Sequence, residues 1–124
     1  MDNDYFRGMV KSEEKELDWA TFMSVDMRVG TVLEASVNES ARKPALVLHI
    51  DFGEFGVKKS SAQITDLYNP EDLKGRQVIA VVNFPPKQIG KVMSSCLVLG
   101  AIDSEGKVIL LKPDQQVRNG MRIG

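Results

Sequence analysis

MRVGTVLEASV, which occupies residues 27–37, is the segment that says most about the architecture of the chain. It is rich in β-branched residues and has no helical periodicity, so it predicts one long β-strand. Gly30 lies within this strand, and a glycine at such a position is typical of a bulge or a sharp coil. Closed small barrels require a bent strand of this kind, so we expect residues 27–37 to open a small barrel.

Two more strands follow along the chain. Residues 45–52 alternate between two faces, which predicts a strand with one buried side. The buried face would carry Leu46, Leu48, Ile50 and Phe52, and the other face Val47, His49 and Asp51. Residues 53–56 predict a turn, which makes residues 57–64 an unusually polar partner strand in a hairpin.

A short helix and further strands are predicted in the second half. Asn69 can cap a helix whose first position is Pro70 and whose end is Gly75. Strands are expected at residues 77–82, 96–101 and 108–111. The strand at 77–82 is apolar on both faces and should therefore be central.

This order of elements predicts an all-β fold: a five-stranded Greek-key barrel of the OB type with short flanking helices. A generic β-sandwich or another small barrel is the alternative. The chain has neither the spacing of βαβ units nor a glycine-rich phosphate-binding fingerprint, so a nucleotide-binding α/β domain is excluded.

The amino-terminal segment has two candidate helix starts. Residues 11–20 are rich in helix formers and Ser12 is available as an N-cap, whereas Thr21 is the second candidate. A helix here would place Trp19, Phe22 and Met23 on one face, covering either an edge of the core or a subunit contact. We therefore predict an extension with a helix over 1–20 and the OB domain over 21–124.

Length and composition limit the number of domains and the cellular location that we expect for the protein. The chain has 124 residues and a formal net charge of −1, which suits one soluble domain. No apolar run approaches the length that spans a bilayer, so we expect no membrane insertion. The first five residues, MDNDY, are acidic and polar, unlike a signal peptide, so we expect a cytoplasmic location.

Cys96 and His49 are the only cysteine and the only histidine, so one chain can form neither a disulfide nor a Cys/His zinc site. The one cysteine and the one histidine could in principle form a nucleophile–base pair. However, Cys96 begins an apolar run and suits a small buried hydrophobe, and His49 should point outward from its strand. No acid/base pair lies in a setting that would raise a pKa. We therefore expect a protein that is not an enzyme and needs no metal or cofactor.

Residues 83–95, NFPPKQIGKVMSS, follow a strand and carry two lysines in a loop restricted by two prolines. Pro85 and Pro86 lack an N–H, and Phe84 is pushed towards extended backbone, so this segment cannot be a helix or a central strand. A loop held in one shape loses less entropy on binding, which favours a binding loop. The alternative is that the prolines only end a strand and the lysines are solvated.

Charge is distributed unevenly along the chain. Residues 73–102 contain no acid but four cations, Lys74, Arg76, Lys87 and Lys91, whereas most charges in residues 1–20 are acidic. Four cations in such a length form a modest patch that supports weak contact with phosphate.

Several motifs together resemble the tRNA-binding OB domain family. This domain occurs at the carboxyl end of methionyl-tRNA synthetases, in stand-alone tRNA-binding proteins and in the CsaA branch of export-related chaperones. The resemblance covers residues 20–124, and the motifs are most similar to those of the CsaA branch. The motifs that carry the resemblance are MRVGTV at 27–32, IDFG at 50–53, SSAQIT at 60–65, LKGRQV at 73–78, VNFPPKQIG at 82–90, Ser94 and LVLG at 97–100.

The resemblance implies a homodimer in which the amino-terminal segment and residues 117–123 flank the barrel and build the interface. It also implies a chaperone that binds unfolded or secretory polypeptides, together with the export motor SecA. The alternative function is structure-specific tRNA binding at the same face.

Each function assigns its own set of residues. Polypeptide binding needs exposed apolar side chains beside hydrogen-bonding groups, and the candidates are Ser60, Ser61, Gln63, Phe84, Ile89, Val92 and Met93. In the alternative interpretation, Ile89, Val92 and Met93 simply pack on the barrel. The candidates for RNA binding are Lys58, Lys59, Asn83, Lys87, Lys91 and Ser94.

Overall fold

The structure is a computed structural model that describes residues 16–124. Within this range the chain forms short helices and mainly short strands. They are α1 (Trp19–Met23), β1 (Met27–Val37), β2 (Leu46–Asp51), a 3-10 turn (Gly53–Phe55), β3 (Val57–Ala62), α2 (Pro70–Leu73), β4 (Gln77–Val81), β5 (Lys87–Ile89), β6 (Val92–Ser94), β7 (Leu97–Val98), β8 (Gly100–Ile102), β9 (Val108–Leu110) and β10 (Arg122–Ile123).

The long strand β1 organises the main sheet. The strand order is β3-β2-β1-β4-β7, and β10 also pairs with β1. One half of β1 pairs with β4 over residues 27–31, and the other half pairs with β2 over residues 31–37. A single strand shared in this way must bend between its two partners, which curves the sheet.

The two edge strands of this sheet, β3 and β7, approach each other and nearly close the barrel. The backbone N–H of Ser95, just before β7, donates to the carbonyl of Lys59 in β3 at 2.8 Å. The hydroxyl of Ser94 also accepts from the N–H of Ser61 at 3.0 Å. The sheet is thus nearly closed, which confirms the predicted all-β barrel of the OB type.

The bulge in β1 lies three residues later than predicted. The register with β2 shifts between Val32 and Glu34, so Leu33 is the extra residue. Gly30 has a different role, because a Cβ there would lie 2.5 Å from Cγ2 of Ile50 and 2.8 Å from the ring of Phe52. The bend presses β1 so closely onto these side chains that no side chain fits at position 30.

This close approach predicts that Gly30→Ala destabilises the protein. The added methyl group must push Ile50 or Phe52 out of a packed core, and such overpacking costs about 1–3 kcal/mol. Urea denaturation should show a lower midpoint with an unchanged slope, whereas Ser36→Ala, at an exposed position of the same strand, should change little. Equal midpoints for Gly30→Ala and the wild type would contradict this packing.

The core lies inside the barrel and is built around β2. Leu46, Leu48, Ile50 and Phe52 are buried, which confirms the predicted alternation. Val47, from the other face, is also covered. The helix α2 begins at Pro70 as predicted, and its Leu73 is fully buried in the same core cluster, although the Asn69 side chain makes no cap hydrogen bond.

The first described helix begins earlier than Thr21. Asp18 is the N-cap, and its Oδ1 accepts from the N–H of Thr21 at 2.7 Å. The candidate cap Ser12 lies outside the described residues. Trp19 and Met23 are 81% and 50% exposed and so do not cover the core, whereas Phe22, from the same predicted face, is half-buried.

The carboxyl-terminal segment lies along the barrel. Gly120 donates its N–H to the carbonyl of Val29 at 2.7 Å, and the Val29 N–H donates to Met121. The side-chain amide of Gln77, which is buried, donates to the carbonyl of Val117 at 2.7 Å. These contacts fix the segment to β1 and β4. Within residues 16–124, none of the helices has the length and apolar character needed to cross a membrane.

Candidate ligand-binding surface

The segment predicted as a loop contains a β-hairpin. Strands β5 and β6 pair with each other in a separate two-stranded sheet, with Gly90 and Lys91 as the turn between them. Gly90 has a φ of 63°, which suits the first turn position of a tight hairpin. The two prolines are followed by this hairpin rather than by irregular backbone, and sequence patterning missed it because each strand has only three residues.

The hairpin has one face towards the barrel and one towards solvent. Pairing places Lys87 with Ser94 and Ile89 with Val92 on one face, and Gln88 with Met93 on the other. Because Ser94 is buried, the first face is the one turned to the barrel. Ile89 and Val92 are accordingly half-buried, which agrees with the interpretation in which they pack on the barrel, whereas Lys87 on the same face is exposed.

The tip of the hairpin contacts the loop between β1 and β2, residues 38–45. The N–H of Lys91 donates to the hydroxyl of Ser40 at 2.8 Å. The side-chain amide of Asn38, which is 5% exposed, donates to the carbonyl of Ile89 at 3.2 Å. Sequence reasoning missed Asn38 and Ser40, because nothing local marks a contact between residues 51 positions apart.

The apolar candidates on this surface reduce to two exposed side chains. Phe84 is 54% exposed and Met93 is 50% exposed. Phe84 follows Asn83, whose side chain is tied to the start of β1, whereas Met93 lies on the hairpin. An extended chain bounds the distance from Phe84 to Ile89 at about 18 Å.

The polar candidates on β3 differ in exposure. Ser60 is 2% exposed and belongs to the interior, so its side chain cannot reach a ligand, contrary to its predicted role. Ser61 is half-buried and its hydroxyl accepts from the Asn38 amide at 3.1 Å. Gln63, just after β3, is exposed and remains available for a hydrogen bond to a ligand.

The lysine candidates are mostly open to solvent. Lys59, Lys87 and Lys91 are exposed, and among residues 16–124 none of them forms an ion pair with a carboxylate. Lys58 is half-buried on the same side of β3 as the buried Ser60, so it points away from Lys59. The loop bonded to the hairpin tip adds two exposed cations that sequence reasoning did not assign, Arg42 and Lys43.

Asn83 and Ser94 have internal roles. The Asn83 side chain accepts from the N–H of Asp26 at 3.0 Å and donates to the carbonyl of Ser24 at 2.7 Å. Ser94 is 9% exposed and its hydroxyl accepts from Ser61. Ser94 is therefore not free to contact RNA in the predicted way, whereas Asn83 is exposed but already holds the start of β1 through its two hydrogen bonds.

Cys96 is a buried thiol beside this surface. Burial raises its pKa to about 11, although the charge of Lys58 and a hydrogen bond with Ser60 act in the opposite direction. A thiol reacts as thiolate, so at pH 8 the native protein should react with a thiol reagent at least about 100-fold more slowly than an exposed cysteine. Unfolding in urea should restore the ordinary rate, and fast reaction of the native protein would contradict this burial.

Two surface grooves lie elsewhere on the barrel. One of about 260 Å³ is lined by residues of β1, β2 and α2, including His49, and the other of about 380 Å³ lies between Arg76 and Lys112. Neither groove includes a predicted site residue. Within residues 16–124, the His, Cys, Asp and Glu side chains form no group of three or more that could hold a metal ion. Neither of these two grooves therefore supplies a small-molecule pocket at the candidate surface.

Comparison with known proteins shows which family the chain belongs to. The chain is 40% identical over 111 residues to a methionine–tRNA ligase of Methanothrix thermoacetophila, a match that covers 90% of this chain and 16% of that protein. The chain thus spans about a sixth of that relative's length.

Solved structures of similar size also match. The chaperone CsaA from Bacillus anthracis is 49% identical with a TM-score of 0.84, and the match covers 89% of this chain and 100% of that one. The CsaA chaperone protein from Picrophilus torridus is 46% identical with a TM-score of 0.81, covering 88% and 100%. The putative tRNA binding domain family matches residues 27–122. Because this match includes the whole barrel, the chain belongs to the putative tRNA-binding domain family.

Proposed function

We propose that the protein is a CsaA-like, export-related chaperone that binds unfolded or secretory polypeptides and does not catalyse a reaction. The observation that carries this proposal is the pair of half-exposed apolar side chains, Phe84 and Met93, on a surface stiffened by Pro85 and Pro86. Similarity to two CsaA chaperones over nearly the whole chain supports it.

The geometry suits an extended ligand. Phe84 and the hairpin lie within about 18 Å, so about six residues of extended polypeptide can contact both. Gln63 and Ser61 supply hydrogen-bonding groups beside the hairpin, and an unfolded chain has free backbone groups to pair with them. Methionine suits varied partners, because its unbranched side chain adapts its shape.

We further propose that the protein works in the cytoplasm as a homodimer, with SecA as a second partner. The exposed apolar side chains of α1, Trp19 and Met23, would be covered by the second subunit together with residues 117–123. The guanidinium of Arg122 donates to the carbonyl of Met23 at 2.9 Å, so the two terminal segments form one continuous surface. In this proposal residues 1–20 act as an extension of the OB domain.

Titration with a permanently unfolded secretory polypeptide tests the proposal. Fluorescence anisotropy at 50 mM and 200 mM salt should show saturable binding in the micromolar range or tighter, with little dependence on salt. The folded form of the same polypeptide is the matched control and should not bind. Equal affinity for both forms, or no binding in the micromolar range, would refute the chaperone proposal.

A specific observation favours tRNA binding as the second candidate function. The hydrogen bond between Lys91 and Ser40 brings the lysines of the hairpin next to the loop that carries Arg42 and Lys43. Exposed cations on two adjoining loops at one end of a barrel suit the phosphates of a folded RNA. A dimer would present the surface twice and gain avidity.

Salt dependence separates the two functions. If a dimer contacts about four to six phosphates, the logarithm of tRNA affinity should fall with the logarithm of salt concentration at a slope of about −3 to −5. A slope near zero would show that these cations do not contact phosphates, and the tRNA candidate would fail.

A further inference from the structure

The hairpin formed by β5 and β6 contacts β3 through β6 but has few hydrogen bonds to the rest of the barrel. It forms a separate two-stranded sheet, and an isolated hairpin of this kind is marginally stable in water. At its base, the hydroxyl of Ser94 accepts from Ser61. At its tip, the described hydrogen bonds to the rest of the barrel run to Asn38 and Ser40.

The tip is held by a connected set of hydrogen bonds. The N–H of Lys91 donates to the Ser40 hydroxyl at 2.8 Å, and that hydroxyl donates to Oδ1 of Asn38 at 2.8 Å. The amide nitrogen of Asn38 donates to the carbonyl of Ile89 at 3.2 Å and to the hydroxyl of Ser61 at 3.1 Å. Asn38 is 5% exposed, so its own bonds are partly shielded from water and are strengthened by that setting, whereas the bond between Lys91 and Ser40 is exposed.

Gly90 shows that the contact is tight. A Cβ at this position would meet the carbonyl oxygen of Ser40 at 2.5 Å and would also collide with its hydroxyl. The backbone of the turn therefore lies directly against the loop. Gly106, in the turn between β8 and β9, also has a positive φ, 83°, but has nothing within 4 Å of such a Cβ.

We propose that Asn38 and Ser40 are positioning residues that fix the hairpin against the loop 38–45, so that the ligand-binding surface exists before the ligand arrives. That the hairpin contacts polypeptide is taken from the proposed function, and this part of the inference rests on it. A hairpin that is already ordered loses less conformational entropy on binding. Neither residue touches the ligand itself.

Amide hydrogen exchange of the free protein tests the positioning role without any ligand. Asn38→Asp keeps an oxygen for Ser40 but loses the donor to Ile89, and Ser40→Ala loses the acceptor for Lys91. In both variants we expect amides of residues 87–94 to exchange at least about tenfold faster, with β1 and β2 unchanged. Asn69→Asp and Ser104→Ala, at exposed positions, are the matched controls and should exchange like the wild type.

A glycine pair keeps the test valid if Asn38→Asp fails to fold. Gly90→Ala and Gly106→Ala both place alanine at a positive φ, but only the first meets the loop. Each variant is read in its own hairpin: a larger rise in exchange of residues 87–94 in Gly90→Ala than of residues 100–110 in Gly106→Ala supports the inference. Unchanged exchange of residues 87–94 in Gly90→Ala and Ser40→Ala would overturn it.

Titration of the same variants with the unfolded polypeptide tests the consequence for binding. We expect about tenfold weaker binding by Ser40→Ala and Gly90→Ala, and wild-type affinity for Ser40→Thr, which keeps the hydroxyl. A looser hairpin with unchanged affinity would refute the part of the inference in which an ordered hairpin strengthens ligand binding. If the wild type binds no polypeptide, the proposed function fails, and the exchange experiment alone decides whether the hairpin is held as inferred.

Discussion

Reversing the charges of Lys87 and Lys91 together should lower affinity for tRNA about 100-fold at 0.1 M salt. Each lost phosphate contact removes the release of about one counterion, which is roughly a factor of six at this concentration, and the new carboxylates also repel the phosphates. Both lysines are exposed and lie outside the core, so Lys87→Glu with Lys91→Glu should leave the melting temperature nearly unchanged.

Filter binding at several salt concentrations measures this effect. The slope against the logarithm of salt should become shallower by about one unit for each phosphate contact that is lost. Lys107→Glu with Lys112→Glu changes the net charge equally but lies near the β8–β9 hairpin, and it should retain most of the affinity. Normal tRNA affinity of the Lys87 and Lys91 variant would place any RNA site elsewhere on the protein.

Replacing Phe84 and Met93 by serine should weaken binding of unfolded polypeptide about 30-fold. Each side chain is about half exposed in the free protein, so its complete burial under a ligand contributes about 1 kcal/mol. The sum of about 2 kcal/mol corresponds to that factor in the dissociation constant. The affinity for tRNA should change much less, because neither residue carries charge.

The control for this variant uses apolar side chains of similar exposure. Val57 and Ile109 are 57% and 44% exposed and lie on other strands. Val57→Thr with Ile109→Thr should bind polypeptide like the wild type. If this control loses as much affinity as Phe84→Ser with Met93→Ser, the protein binds polypeptide through general hydrophobicity and not through the proposed surface.

The fold could be predicted because its strongest signals are local. The alternation of residues 45–52 follows from the two-residue period of a strand. Pro70 marks the start of α2, because proline is favoured at the first position of a helix. The position of the bulge could not be predicted in the same way. A glycine within a strand can mark either a bulge or a close contact with other side chains. Only the folded structure shows that Gly30 leaves room for Ile50 and Phe52, whereas the bulge lies at Leu33.

The candidate site was predicted less completely because it depends on barrel closure. Ser60 and Ser94 look like available hydroxyls in a polar strand and a loop, but the approach of β3 to β6 and β7 buries both. Asn83 likewise appears free in the sequence, whereas its side chain is used to hold the start of β1. No local pattern reports such contacts between distant parts of the chain.

Hydrogen exchange of the wild-type protein with and without a saturating unfolded polypeptide tests the account most directly, because it locates the binding surface. We predict that the amides of residues 84–93 and 61–63 gain protection when the polypeptide is bound, while the hairpin formed by β8 and β9 does not change. Protection confined to regions outside residues 61–63 and 84–93, in a protein that clearly binds the polypeptide, would contradict the account.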